Sequence, residues 1–438
     1  MKGKIPAKMA SKIFPIPFYV PGKPLPKRWD KLRAHKKQLA LWNSPKRFIV
    51  LPCGRRSGKT EIAKRKLVCE SLFRKQNFTD PRYFAGAPTR DQAKKIYWND
   101  LKAMVPEKFV RRKYEGDLCI ALKNKAEIWV LGLDKPERME GSPWDGGILD
   151  EYANMKAHAW GANIRPALSD RRGWCWLIGV PEGRNHYFKL YQKAMHGLDP
   201  EWGAFTWKSS DILPATEIAA AKRDLDERTF QQEYEADFVE QAGLVYYAFN
   251  RETNVRPVPA PTLLKRDRVN INVGMDFNVG KMCSSLADDR LQVFGELVLR
   301  NSNTPEMGKA LREKFNDEDY RVIIWPDATG KNRDSTSSTT DHQILRDCGF
   351  EVMSKSSNPL VKDRVNTTNS LLQNAAGEIW TYIDPSCKEL IEDLELVVWK
   401  NGDLDSSDAE RTHASDAFGY LGYGMKPMLG GGARGVKY

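Results

Sequence analysis

The stretch Cys53-Gly54-Arg55-Arg56-Ser57-Gly58-Lys59-Thr60 follows the apolar run Phe48-Ile49-Val50-Leu51. A strand that ends in a glycine turn and opens a helix points its backbone N–H groups at an anion, which is how nucleotide phosphates are cradled. Within it Lys59 reaches the outer phosphates and the Thr60 hydroxyl is placed for Mg²⁺, while Gly54, Arg55, Arg56, Ser57 and Gly58 form the cradle; the expected ligand is ATP. Cys53 stands where the G-x-x-x-x-G-K-[ST] pattern has its first glycine, and Gly54 comes one residue late. A second motif, Gly146-Gly147-Ile148-Leu149-Asp150-Glu151, ends a short apolar run on two acids. Asp150 suits the metal, through water, and Glu151 suits the general base that polarises an attacking water.

Three further acids occupy positions of a different kind. Asp276 lies in the alternating stretch Val269–Phe277, where a charge on a half-buried strand is costly unless paired or metal-bound. Asp327 follows Val322-Ile323-Ile324-Trp325-Pro326, and Asp416 falls in His413-Ala414-Ser415-Asp416-Ala417-Phe418, at a helix start. Such acids can converge on two Mg²⁺ or Mn²⁺ ions that cleave a phosphodiester. Taken singly, Asp327 reads equally as a turn residue and Asp416 as an N-cap. Glu296 is a possible fourth ligand or a hairpin-end salt bridge, and Lys362 and Arg364 are either DNA-backbone contacts or solvated helix charges.

These residues need a scaffold that brings strand ends together. Strands are expected at Phe48–Leu51, Tyr83–Ala87, Ala126–Leu131, Gly147–Leu149 and Trp174–Val180, alternating with helices after Gly58 and over Asp91–Leu101. This alternation predicts an α/β fold with a mainly parallel sheet. After a proline-rich stretch, strands at Val269–Phe277, Leu291–Leu299 and Arg321–Trp325, with a hairpin turn at 287–290, predict a second, mixed-sheet unit. The expected organisation is a basic arm over 1–29, an ATPase domain over 30–240 that begins with a basic helix from Trp29 to Trp42, a linker over 241–261, a nuclease domain over 262–426 and a flexible Gly-rich tail over 427–438. The 438 residues are 41% hydrophobic and carry a net charge of +12, so the chain is folded and its charge favours a polyanion. The basic residues are partly blocky, at Lys23 to Lys37 and Arg111-Arg112-Lys113. Seven scattered cysteines without a C-x-x-C pair argue against zinc and disulfides, and no run of about 18 apolar residues suggests a membrane span.

Taken in order, the phosphate loop, Ala87-Pro88-Thr89 with Gln92-Ala93-Lys94, Pro136-Glu137-Arg138-Met139-Glu140-Gly141, Asp150-Glu151-Tyr152-Ala153 and Gly179-Val180-Pro181-Glu182-Gly183-Arg184-Asn185-His186 resemble the large terminase subunit of tailed bacteriophages. The resemblance runs from about Gln38 to Leu421. It implies a P-loop ATPase joined to a ribonuclease-H-like nuclease, with Asp276, Asp327 and Asp416 as the metal-binding acids. It also implies that Gln38 contacts adenine, that the segment from Gly179 couples hydrolysis to movement, and that Arg138 reaches a neighbouring subunit's nucleotide, a role Arg55 or Arg56 could fill instead. The implied partners are double-stranded DNA, a portal protein, a small terminase subunit and further copies of the chain in a ring. The implied location is the host cytoplasm and, transiently, the procapsid portal, not the mature virion. Two other readings fit parts of the pattern: a repair or recombination helicase–nuclease, and an ATP-switched DNA-binding module whose second set of acids is structural.

Overall fold

The computed structural model describes residues 32, 34–73, 78–197, 199–240, 242–261, 268–278, 280–316, 318–331, 339–400, 402–405, 407–408 and 411–429. The expected arm over 1–29 and most of the expected tail lie outside them. The chain divides into two compact units: residues up to Ile218 with Gln231–Glu240, and Ala219–Phe230 with the residues from Gln241 onward.

The first unit is built on an eight-stranded sheet. Its strands are β1 (Phe48–Pro52), β2 (Arg82–Ala87), β3 (Val110–Tyr114), β4 (Cys119–Leu122), β5 (Glu127–Gly132), β6 (Gly146–Leu149), β7 (Trp174–Gly179) and β8 (Trp202–Ala204). They lie in the order β3-β4-β5-β2-β6-β7-β1-β8. From β5 to β8 every neighbouring pair is parallel, while β3 and β4 add an antiparallel flap. β1 is buried along its whole length: Ile49 and Leu51 join one core while Phe48 and Val50 join the other, so both faces of the sheet are covered. The flap was not visible in the sequence. The basic block Arg111-Arg112-Lys113 forms its outer strand, with Arg111 and Arg112 exposed, and charge on an edge strand discourages further pairing.

The second unit holds a five-stranded mixed sheet of β9 (Val269–Asp276), β10 (Lys281–Ala287), β11 (Val293–Arg300), β12 (Tyr320–Pro326) and β13 (Glu351–Val352). Its order is β11-β10-β9-β12-β13, antiparallel across β11, β10 and β9 and parallel from β9 to β13. Ile271, Val273 and Met275 point into one core. The alternate residues Asn272, Gly274 and Asp276 therefore face the other side, where the His413–Leu429 helix packs. Gly274 permits that approach, because a Cβ there would lie 2.1 Å from the Ala417 carbonyl oxygen.

Three expected boundaries change. Among the described residues the first helix is Lys36–Trp42, and Trp29, the expected start, lies outside them. The stretch read as a linker is docked on the second unit: Val245 and Tyr246 are buried, and the amides of Val245 and Arg256 donate to the carbonyls of Val397 and Ile383. An apolar pair with backbone partners outweighs the prolines that follow. The last helix runs through Pro427 to Leu429, past the expected start of the tail.

Candidate nucleotide and nuclease sites

In the first unit the phosphate loop leaves β1 at the carboxyl edge of the parallel strands, where open α/β sheets place their ligands. The displaced glycine has a physical reason. A Cβ on Gly54 would come within 2.5 Å of Ser209 Oγ and 2.7 Å of the Tyr234 carbonyl oxygen. Cys53 instead continues the sheet, paired with Trp207 as an isolated parallel bridge, and tolerates a side chain because it is fully buried in the core. The loop is braced from several sides. The Trp207 indole N–H donates to the Ser57 carbonyl at 2.8 Å, Ser209 Oγ to the Arg55 carbonyl at 2.6 Å, and Lys59 Nζ to the Gly54 carbonyl at 3.4 Å. Arg55 forms an ion pair with Glu233, and Arg56 sits exposed at the tip with φ 55°.

Thr60 Oγ1 donates to Asp150 Oδ2 at 2.9 Å, so the loop and the second acidic motif meet directly. The Tyr97 hydroxyl donates to the same oxygen at 2.8 Å, and the Glu151 amide donates to Asp150 Oδ1 at 2.9 Å. With the carboxylate 1% exposed and held at both oxygens, its direction is fixed. Tyr97 was missed in the sequence: the helix expected over Asp91–Leu101 is interrupted by a π-helical turn, Lys94–Trp98, which buries Tyr97 and Trp98. Glu151 adopts left-handed backbone angles, φ 53° and ψ 43°. Burial raises its carboxyl above the usual range; the Lys59 charge opposes this and Asp150 adds to it. A half-buried acid in a strained backbone conformation, close to the Lys59 charge, is fit to accept a proton.

The segment after β7 closes on this acid. Asn185 Nδ2 donates to the Ala153 carbonyl at 3.1 Å, and His186 Nε2 lies 3.1 Å from the Tyr152 carbonyl, so it carries the ring proton. The turn next to Glu151 is thus held by the residues expected to couple hydrolysis to movement.

Gln38, expected at the adenine, lies beneath the phosphate loop. It is fully buried; its Nε2 donates to the Gly58 carbonyl at 3.0 Å and its Oε1 accepts the His35 amide at 3.2 Å. An amide placed in this way supports the loop through the Gly58 carbonyl. Arg138, on the turn Pro136–Met139, is exposed and has no ion-pair partner among the described residues.

In the second unit the parallel pairing of β9 with β12 sets Pro326 against Met275, and the Asp327 amide donates to the Met275 carbonyl at 3.1 Å. Asp276 and Asp327 therefore share the carboxyl ends of adjacent strands. Asp416 joins them from the terminal helix, whose Ala417 lies against Gly274. Each acid is met by a different protein group. His413 Nδ1 is 3.0 Å from Asp276 Oδ2, Asn358 Nδ2 donates to Asp327 Oδ1 at 2.6 Å, and Arg364 Nη1 is 2.8 Å from Asp416 Oδ1. Burial lifts Asp416 to about 6, against the pull of Arg364 and with the help of the Asp276 charge. Three carboxylates form a hard-oxygen set suited to Mg²⁺ or Mn²⁺. With these partners in place, no group of three acids, histidines or cysteines among the described residues is drawn together tightly enough to hold a metal ion.

Two expectations are corrected here. Glu296 is neither a ligand nor a salt bridge: its carboxylate accepts the amides of Glu389 and Leu390, both at 3.0 Å, at the start of the Lys388–Leu396 helix. Arg364 is no DNA-facing charge, being 5% exposed and turned onto Asp416. The sequence also concealed Asp393, wholly buried, whose Oδ2 accepts the amides of Ala414 and Ser415 at 3.0 Å each. It anchors the helix that carries Asp416.

The first unit is thus a mainly parallel α/β sheet with a phosphate-type loop at its carboxyl edge, and the second a mixed sheet bearing acids at its strand ends. A family profile described as "Terminase large subunit, T4likevirus-type, N-terminal" matches residues 51–252. The large terminase subunit of Thermus phage G20c is 27% identical over 248 residues, 49% of this chain and 50% of that protein. The large terminase subunit of Escherichia phage T5 is 25% identical over 223 residues, 50% of each chain. The matches thus span about half the length of these curated relatives. The large terminase of a thermophilic bacteriophage, solved in complex with ADP, superposes with a TM-score of 0.58 at 19% identity, covering 90% of this chain and all of that one. The chain is similar in sequence to phage large terminase subunits over about half of its length, and similar in fold to one of them over 90% of it.

Proposed function

We propose that this chain is a DNA-packaging motor and nuclease, which hydrolyses ATP to drive double-stranded DNA into a procapsid and cuts concatemeric DNA. The observation that carries the reading is the Thr60–Asp150 hydrogen bond at 2.9 Å, which joins the two nucleotide motifs beside a half-buried Glu151. Lys59 neutralises charge on the outer phosphates, Glu151 accepts a proton from the attacking water, and Arg138 is free to stabilise a neighbouring subunit's nucleotide. Thr60 and Asp150 would hold Mg²⁺, which offsets phosphate charge in the ATPase site. Asp276, Asp327 and Asp416 would hold Mg²⁺ or Mn²⁺, which activate water and stabilise the leaving oxygen.

DNA is gripped through its phosphates by a chain of net charge +12. The portal protein, a small subunit and a ring of copies at the procapsid complete the proposed assembly. The test is ATP hydrolysis with and without duplex DNA, alongside plasmid cleavage in Mg²⁺ or Mn²⁺. DNA-stimulated hydrolysis together with metal-dependent cutting is expected. Hydrolysis without cutting in either metal would leave an ATP-switched DNA-binding module as the better account.

A further inference from the structure

One buried charge has no part in the nuclease chemistry proposed above. Arg364, on the Val361–Leu372 helix, is 5% exposed, and a guanidinium so enclosed requires a counter-charge. The molecule has made room for it. A Cβ on Gly419 would lie 2.8 Å from Arg364 Cγ and 2.9 Å from Cδ, so this position next to the acid's helix turn admits only glycine if the arginine is to stay. The guanidinium also lies over the Tyr420 ring, 4.5 Å from its centre, which fixes its plane. Its head meets Asp416 with Nη1 2.8 Å from Oδ1, a close ion pair. A divalent cation that takes the Asp416 carboxylate must therefore compete with this charge pair.

We infer that Arg364 is the resident cation of the nuclease centre: its guanidinium neutralises Asp416 until a divalent ion competes for that carboxylate. This rests on the reading of Asp276, Asp327 and Asp416 as metal ligands. The consequence is a raised threshold for metal loading, because an ion that takes Asp416 leaves the buried guanidinium without its counter-charge. Arg364 acts as a positioning residue on Asp416 and touches no reacting atom.

The experiment is Mn²⁺ binding by calorimetry to the full chain without nucleotide. The Asp276→Asn/Asp416→Asn double variant identifies which binding belongs to this site. Arg364→Gln is expected to tighten that binding about tenfold, roughly 1.4 kcal/mol. Arg364→Met, which keeps an apolar stem over Tyr420, should do the same if the glutamine variant does not fold. Arg364→Lys, which keeps the charge, should stay within about twofold of the wild type. Unchanged or weaker Mn²⁺ binding in folded Arg364→Gln and Arg364→Met would overturn the inference and make the arginine a plain support for Asp416. If the double variant removes no Mn²⁺ binding from the wild type, the metal-ligand reading itself fails instead.

Discussion

The two candidate sites solve the same problem, holding carboxylates beside phosphate, in opposite ways. In the nucleotide site the motifs bond to one another: Thr60 and Tyr97 both donate to Asp150 Oδ2, and Asp150 Oδ1 accepts the next amide. In the candidate nuclease site each acid is bound instead by a different residue, His413 on Asp276, Asn358 on Asp327 and Arg364 on Asp416. In the first the motifs brace one another; in the second each acid is engaged by a separate group of its own chain, and only Asp416 faces a fixed positive charge. On the proposed function, a motor must turn over repeatedly whereas indiscriminate cutting would destroy its substrate, and the two geometries fit those demands.

The sharpest break is expected at Asp393. Replacing this buried carboxylate with alanine leaves two helix-start amides unpaired, so Asp393→Ala should destabilise the second unit by about 3 kcal/mol. Calorimetric unfolding should show that loss, with cleavage abolished and ATP hydrolysis kept. Tyr97→Phe tests the nucleotide side. Losing a hydrogen bond to a charged acceptor should raise the Mg²⁺ concentration needed for hydrolysis about tenfold, seen in a metal titration of ATPase rate, with cleavage unaffected. Asn358→Ala removes an exposed partner of Asp327 and should slow plasmid cutting about fivefold.

The smallest effect is a pH dependence. Lys426 donates to the Asp224 carbonyl at 2.6 Å, and burial lowers it from 10.5 to about 8, with Asp224 and Asp226 opposing. Between those values the unfolded chain binds more protons, so this group's contribution to stability rises with pH from about 8 to 10.5. Comparing the denaturation midpoints of wild type and Lys426→Met across that window should show the rise only in the wild type.

The legible parts of the molecule were those written locally. A strand followed by Gly58-Lys59-Thr60, or an apolar run closing on Asp150-Glu151 or Asp327, announces its chemistry within ten residues, and the parallel sheet follows from strand–helix alternation. What the sequence concealed is tertiary. Tyr97 and Asp150 are 53 positions apart, and their contact depends on a π-helical turn that no periodicity announces. Glu296 and Arg364 have the composition of solvent-facing charges; only folding gives one a helix to cap and the other an acid to face. Gln38 was assigned through a resemblance, and its enclosure beneath Gly58 came from packing. The strands β3 and β4 were hidden because their edge is basic rather than alternating.

Two separable activities in one chain are the central claim. The measurement is ATP hydrolysis and plasmid cleavage from the same preparations of wild type, Lys59→Ala and Asp276→Ala. Lys59→Ala should lose hydrolysis about 100-fold or more while still cutting, and Asp276→Ala should lose cutting while still hydrolysing. If either substitution abolishes both activities in a protein that remains folded, the two sites are not separate engines and the claim is contradicted.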